Sequence, residues 1–150
     1  MYLAALAQSW HHGLASSPGH SSRSPYPAAG HTVQGVAARA RSLALVLGAD
    51  ADPLEAAAWL HDIGYALGLA TTGLHQLDGA RYLRDARHAD AMLGRLVAHH
   101  PCAIIEAGER GLAGALSYEF DPAGFQNGHS WLTCRYSCRT SRWAGRMVGS

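Results

Sequence analysis

Histidine is unusually frequent in this sequence, with ten in 150 residues. Several of these histidines stand beside acidic residues or in stretches of helical character, and borderline divalent metals prefer imidazole and carboxylate ligands. Metal ligation by histidine and aspartate is therefore possible, and Mn, Fe, Ni, Co and Zn are divalent ions that such ligands suit. The candidate ligands, in chain order, are His31, the doublet His61-Asp62, His75 and the pair His99-His100.

Each candidate also has a plainer explanation that the residues alone leave open. His61-Asp62 could be a solvated polar pair on a helix, and His31 could be a surface or capping residue at a helix start. His75 could be an ordinary loop residue, and His99-His100 could mark a helix C-terminus, where positive charge is favourable. The remaining histidines lack partners at useful spacing and are expected at the surface or in disordered segments: His11, His12, His20, His88 and His129.

Helical periodicity supplies the elements that would position these residues. Over 33–48, apolar residues recur at steps of three and four, which predicts a helix with His31 at its start. Asp52 and Pro53 supply a cap and a first turn for a second helix, predicted over 54–67. The His-Asp doublet falls inside that second helix.

Three shorter helices follow in the prediction. His75 lies in a glycine-containing loop, and Asp78 caps the helix after it. Asp90 caps another helix, which reaches His99-His100 and stops at the proline that follows. A last helix covers 104–118. No alternating strand and no repeat is visible, so the predicted fold class is all-α, a compact helical bundle.

Composition bounds the size and the partners of the protein. A hydrophobic content of 48% in 150 residues supports one sizeable core and one domain. The formal net charge of +1 provides no field that would attract nucleic acid or a membrane, so a small-molecule partner is expected and the oligomeric state stays open. No apolar run is long enough to span a membrane and no signal peptide is visible, which favours the cytoplasm. Three cysteines fit a reducing compartment.

Both ends of the chain differ in composition from the middle. Residues 1–30 include a stretch rich in Ser, Pro, Gly and Ala, and are predicted to be a flexible, poorly packed leader. Residues 121–150 are predicted to be an irregular, poorly packed basic tail, with four arginines and no acidic residue after Pro122. Two explanations of this tail stay open: a peripheral or disordered segment, or a truncated or shifted reading frame. Cys134 and Cys138 alone are a weak signal for zinc.

Three motifs carry a resemblance to a known family. The most specific is AAAWLHDIGYA, residues 56–66, and it is reinforced by TGLHQLDGARYL at 72–83 and LVAHH at 96–100. With these motifs the chain resembles the HD-domain superfamily of metal-dependent phosphohydrolases, in its small, stand-alone bacterial form. The resemblance covers a domain over 31–120 and implies a helical bundle of the HD-domain type.

The resemblance also implies a set of ligands. His31, His61 and Asp62 would hold one divalent ion together with a later aspartate. Members of the superfamily with extra histidines often hold two ions, which the doublet aspartate bridges. One or two ions are therefore expected here, with second-site roles for His75, His99 and His100.

The implied activity is hydrolysis of a phosphate ester. The metal would polarise a phosphoryl oxygen and activate a water molecule, with Asp62 and His61 as the catalytic residues. The expected substrate is a small phosphorylated molecule, with nucleotides among the candidates. Neutralisation of the phosphate needs a cation, and the candidates are Arg81, Arg84 and Arg95.

The sequence departs from the superfamily pattern at two places. Val36 follows His31 by five residues, where the superfamily commonly has four, and Asp121 is the only aspartate after His100 and comes early. If Asp121 cannot reach the metal, one ligand is lost. The alternative function is therefore a degenerate HD-domain protein that binds metal or ligand without catalysis. A third hypothesis is an iron-dependent oxygenase, because a similar helical ligand frame can hold a di-iron pair.

Overall fold

The computed structural model describes residues 2–15 and 29–124 of the chain. Within these two ranges the regular secondary structure is all helical, without a β-strand, and the helices share one hydrophobic core. The prediction of an all-α bundle is confirmed. The α-helices are α1 (Tyr2–Ala15), α2 (Ala29–Ser42), α3 (Ala44–Leu47), α4 (Ala51–Leu60), α5 (His75–Asp85), α6 (Ala91–Ala98), α7 (Ala103–Glu109) and α8 (Ala113–Glu119).

The central helix of the bundle is α4. Its last five residues, 56–60, are all buried, and the helix packs against α1, α2 and α6. Three of these residues are alanines, whose small side chains allow neighbouring helices to approach closely, whereas Trp59 and Leu60 fill the larger spaces. The helix that leads directly to the His-Asp doublet is therefore held by three neighbours.

Helix α1 corrects the predicted flexible leader over residues 2–15. Leu3, Ala7 and Trp10 recur at steps of four and three and contact the core, and Ala7 is fully buried. The apolar face of this segment stabilises a packed helix against α4. Of the rest of the predicted leader over 1–30, residues 29 and 30 begin α2, whereas residue 1 and residues 16–28 lie outside the described residues.

Asp52 serves a different helix from the one predicted. Its carboxylate accepts hydrogen bonds from the backbone N–H groups of Leu3 at 3.0 Å and Ala4 at 3.2 Å. These N–H groups lie in the first turn of α1, where a helix has unsatisfied donors. Asp52 therefore caps α1 across the α1–α4 contact, whereas α4 has no side-chain cap.

The helix predicted over 54–67 ends early, at Leu60. The doublet lies in the turn that follows, and a 3-10 turn covers Ile63–Tyr65. Only glycine fits at position 64 of this turn, because a Cβ there would lie 2.0 Å from the carbonyl oxygen of His75. The absence of a side chain lets this turn lie directly on the start of α5.

His75 is the first residue of α5, and so lies in a helix rather than in the predicted loop. Asp78 is buried in the first turn of that helix but does not cap it, since residue 74 at the N-cap makes no side-chain hydrogen bond. The Asp78 carboxylate instead accepts hydrogen bonds from the backbone N–H and the hydroxyl groups of both Thr71 and Thr72. Asp78 thereby fixes the loop before His75.

The last helices follow the prediction in part. Asp90 caps α6 as predicted, since its carboxylate accepts a hydrogen bond from the N–H of Met92 at 2.8 Å. The single helix predicted over 104–118 is two helices, α7 and α8, because the chain turns at Gly111 with a φ of 70° that favours glycine. A short 3-10 turn, Pro122–Gly124, ends the described chain, and the predicted tail from residue 125 on lies outside it.

None of the described helices has the length and apolar character that crossing a bilayer requires.

Candidate metal centre

Three helix ends meet at one point of the bundle. The doublet follows the C-terminus of α4, His75 begins α5, and His100 follows the C-terminus of α6. Asp62, His75 and His100 each place one potential ligand atom so that these atoms all lie within 4.8 Å of one another. The side chains come from positions 62, 75 and 100, so the packing of α5 against α6 and against the 63–65 turn brings them together.

The spacing of the nitrogens fits a shared cation. The Nε2 atoms of His75 and His100 lie 3.0 Å apart, and His75 Nε2 lies 3.7 Å from Asp62 Oδ1. Two nitrogen ligands at about 2.1 Å from an ion, at an angle of about 90°, would lie about 3.0 Å apart. The Nδ1 atom of His75 is buried without a hydrogen-bond partner among the described residues. The donor set and its spacing therefore fit a divalent metal.

Asp62 lies between two imidazole groups. Its Oδ2 atom is 3.3 Å from His61 Nε2, and its Oδ1 atom faces His75 on the other side. The His61 and His100 rings also meet edge to face, with centroids 5.4 Å apart. The Asp62 carboxylate therefore has one oxygen directed toward each of two imidazole groups, those of His61 and His75.

The helix ends fix the orientation of two of the imidazoles. His61 Nδ1 donates to the carbonyl oxygen of Ala58 at 2.8 Å, and His100 Nδ1 donates to that of Val97 at 2.7 Å. In both cases the acceptor lies three residues earlier, among the last carbonyls of a helix that lack an N–H partner within it. A proton on Nδ1 leaves a lone pair on Nε2 of the neutral ring, and this atom faces the cluster.

The protonation states also suit metal binding. Burial lowers the pKa of His100 to about 4. Burial likewise lowers the pKa of His75. Burial opposes ionisation of Asp62, but the hydrogen bond and charge of His61 outweigh it and hold the pKa of Asp62 below its usual value. Neutral imidazoles and an ionised carboxylate are the forms that bind cations.

The pKa of His61 is shifted in the opposite direction from the pKa values of His75 and His100. Burial acts to lower its pKa, but the hydrogen bond and the charge of Asp62 outweigh burial and raise the pKa of His61. A metal that bound His61 Nε2 would therefore compete with a proton more strongly there than at His100.

The structure does not bring His99 to this cluster. His99 is buried, and its Nε2 contacts the carbonyl oxygen of Phe120 at 2.5 Å. His31 lies in the first turn of α2, but its side chain falls outside the described part of the chain. Asp121 is exposed, and its Oδ1 accepts a hydrogen bond from the N–H of Ala123 at 2.8 Å. Asp121 therefore caps the 3-10 turn at the end of the described chain.

A cavity of about 640 Å³ opens beside the cluster and includes His61, Asp62, His75 and His100 in its wall. Its wall also contains Arg39, whereas the three arginines that sequence analysis proposed for phosphate are not part of it. Two of these, Arg81 and Arg84, form ion pairs with Glu119. Arg39 follows Val36 by three residues on α2, and this spacing was the available signal for a shared face.

Sequence reasoning missed three further residues around the centre. The Tyr65 ring stacks on the His75 ring, with centroids 4.0 Å apart and planes 16° apart. Gln76 Nε2 donates to Glu106 at 2.9 Å in the wall of the cavity. His11, predicted at the surface, is only partly exposed and lies 5.8 Å from the Trp59 ring, measured between centroids.

The comparison with protein families agrees with the geometry. The family model described as HD domain matches residues 29–124, which span α2 to α8 and include the whole cluster. No curated protein and no solved structure matches the chain significantly. The family is one of metal-dependent phosphohydrolases that bind divalent ions, and Asp62, His75 and His100 are the possible metal-binding residues of this member. The chain belongs to the HD domain family.

Proposed function

We propose that this protein hydrolyses a phosphate ester with the help of one or two divalent ions, and that its substrate is a small molecule, with nucleotides among the candidates. The observation that carries the proposal is the position of Asp62. Its Oδ2 atom faces His61, and its Oδ1 atom faces His75, whose Nε2 lies 3.0 Å from His100 Nε2. A carboxylate in this position can hold two ions next to each other or orient a water molecule beside one ion.

A divalent ion in this centre would supply Lewis acidity toward a phosphoryl oxygen and toward a water molecule. His75 and His100 would hold it through Nε2, because the backbone bond of His100 Nδ1 leaves that atom with a lone pair. Asp62 would remain ionised and accept a hydrogen bond from the attacking water. Arg39, in the wall of the same cavity, would neutralise charge on the phosphate.

The reaction balances with water as the only co-reactant. The water oxygen forms a bond to phosphorus, the bond between phosphorus and the ester oxygen breaks, and the leaving alcohol takes up a proton. The products are inorganic phosphate and an alcohol.

The test is phosphate release by purified protein supplied with Mn, Ni or Co. The panel contains nucleoside monophosphates, sugar phosphates and aryl phosphates. We expect release from at least one class, a loss of about a hundredfold or more in Asp62→Asn, and no change in Asp85→Asn, whose carboxylate is exposed and pairs with Arg84. Stoichiometric metal without any phosphate release from the panel would contradict the proposal.

A second candidate function is metal or ligand binding without turnover. The exposure of Asp121 and its bond to Ala123 favour it, because the family's late aspartate would have to come from this position. The unmodified protein separates the two functions: metal binding without phosphate release would support the second, and phosphate release would reject it. Asp121→Asn tests the carboxylate, and unchanged metal affinity in this variant would show that Asp121 is not a ligand.

A further inference from the structure

The cavity beside the metal centre has a strongly apolar wall. Aliphatic side chains from three helices contribute to it: α2, α4 and α6. Its volume of about 640 Å³ falls within the range of small-molecule pockets, about 300–1,000 Å³. The aliphatic residues longer than alanine are Val36, Leu43, Leu54 and Leu96. This wall lies next to the cluster that would hold the phosphate.

Helix α2 contributes to the cavity wall an apolar side chain that is not buried in the core of the bundle. Val33, Ala37 and Ala40 are buried and pack in the core, and Ala40 also borders the cavity. Val36 is 42% exposed on the same helix and also lines the cavity, as does Leu43, which follows the end of α2. The helix therefore presents apolar side chains both to the core and to the cavity, and the second set is exposed to whatever occupies the cavity.

Outside the metal centre, the polar side chains among the described residues of the wall are Arg39, Gln76 and Glu106. Glu106 accepts from Gln76 on one oxygen and from Arg110 on the other, at 2.9 Å each. Gln76 Oε1 has no hydrogen-bond partner among the described residues, but the side chain is only 1% exposed and presents almost no surface to a ligand. If the ligand carried many hydroxyl groups, its hydroxyls would face Val36, Leu43 and Leu54 and would lack hydrogen-bond partners. The loss of their hydrogen bonds to water would be unfavourable.

The charged residues of the wall limit how much negative charge the phosphate end of the ligand can carry. Asp62 and Glu106 are acidic and Arg39 is the one lysine or arginine among the described residues of the wall. A chain of several phosphates would bring more negative charge than a single arginine and the centre can balance. A single phosphate suits this wall better.

From these observations we infer that the ligand of the cavity is a phosphomonoester with a compact, largely apolar organic group, aryl or branched alkyl. The inference rests on the proposed function, because it places the phosphate at the metal centre. The organic group lies against the α2 and α4 wall, and Val36 is a specificity-determining residue.

The first experiment measures binding rather than turnover. Calorimetric titration of the manganese-loaded full chain compares naphthylmethylphosphonate with hydroxyethylphosphonate, two probes with the same phosphonate head. We expect the naphthyl probe to bind at least about tenfold more tightly, with a negative heat-capacity change that marks burial of apolar surface. Equal affinity, or tighter binding of the hydroxyethyl probe, would overturn the inference.

Val36→Asn tests the wall itself. We expect it to weaken the binding of naphthylmethylphosphonate about tenfold and to leave the binding of hydroxyethylphosphonate unchanged, whereas Val36→Ile should retain the affinity of the unmodified protein. Val46→Asn is the matched control, since Val46 is 84% exposed on α3 and does not line the cavity. An equal effect of both asparagine variants, or no effect of either, would overturn the role of Val36.

Phosphate release separates this inference from the proposed function. Preference for the naphthyl probe without release from any ester would leave the apolar cavity standing and reject hydrolysis. Release from glycerol phosphate with a higher kcat/KM than from naphthyl phosphate would keep hydrolysis and reject the apolar ligand.

Discussion

His75 Nε2 and His100 Nε2 lie 3.0 Å apart, although the two residues begin one helix and follow another. His100 holds its proton on Nδ1, where the carbonyl oxygen of Val97 accepts it. His75 must therefore either donate a proton to His100 or share a cation with it. The buried Nδ1 of His75, which has no partner among the described residues, is compatible with both. Substitution of either histidine of this pair therefore tests whether the two residues share a metal ion.

Replacing either histidine of the pair is predicted to abolish metal binding while the fold is kept. His75→Ala and His100→Ala each remove one ligand, and loss of one ligand from a small set lowers metal affinity strongly. The measurement is metal content after dialysis against manganese or cobalt, with circular dichroism as the check on folding.

His99→Ala is the control for this prediction, because His99 is adjacent in sequence but bonds to Phe120. We expect it to retain metal and to lose about 1–3 kcal/mol of unfolding free energy, since the Phe120 carbonyl would lose its buried partner. Loss of metal in His99→Ala, with retention in His100→Ala, would show that the two histidines have the opposite roles.

The doublet and the neighbourhood of His75 and His100 were within reach of sequence reasoning, because helical frames and a family motif mark them. The choice between His99 and His100 was not. It depends on α6 ending at Ala98, after which the backbone turns His99 toward Phe120 and His100 toward the centre. A shift of one residue in a helix end changes the direction of a side chain by about 100°, and sequence patterns do not fix helix ends that closely.

Two further features that the sequence did not predict also depend on the three-dimensional arrangement of the helices. The packing of α1 on α4 depends on a carboxylate, that of Asp52, which sequence analysis assigned to another helix. The apolar wall and Arg39 belong to a cavity between helices. The periodicity of a single helix does not predict how the helices pack against one another.

Gly64→Ala is predicted to destabilise the protein and to disrupt the centre. The added Cβ would lie 2.0 Å from His75 O and 2.8 Å from the backbone nitrogen of Gly79, so the 63–65 turn must move away from α5. We expect a loss of about 3 kcal/mol in urea unfolding, and weaker metal binding because Asp62 and His75 separate. Gly108→Ala is the control, since its Cβ meets nothing within 4 Å in α7 and should be neutral or slightly stabilising. Equal stability of both variants would contradict the steric argument.

Stability is predicted to depend on pH through Glu119, which joins α8 to α5. Hydrogen bonds from Arg81, and then from Arg84, hold the pKa of Glu119 below its usual value of 4.5. A lowered folded-state pKa means that the stabilisation is fully present above the unfolded-state pKa and is lost as the pH falls through the folded-state value. Glu119→Gln should therefore cost about 1–2 kcal/mol near neutral pH, and the difference from the unmodified protein should shrink below about pH 4.

The check on this dependence is urea unfolding of both proteins across the acid range. Glu55→Gln is the matched variant, because Glu55 pairs with an exposed partner, Arg41, and exposed pairs contribute little. A Glu119→Gln effect that stayed constant from neutral to acid pH would assign it to packing rather than to charge.

Arg39→Ala is predicted to weaken substrate binding without loss of metal. Arg39 lines the cavity of the centre, so its guanidinium can contact a phosphate, and removal of one charged contact of this kind raises KM by about tenfold or more. Arg41→Ala is the matched control on the same helix, since Arg41 bonds Glu55 at the surface and does not line the cavity. Metal content should be the same in both variants. An equal rise of KM in both would mean that Arg39 acts only through the net charge of α2 and does not touch the phosphate.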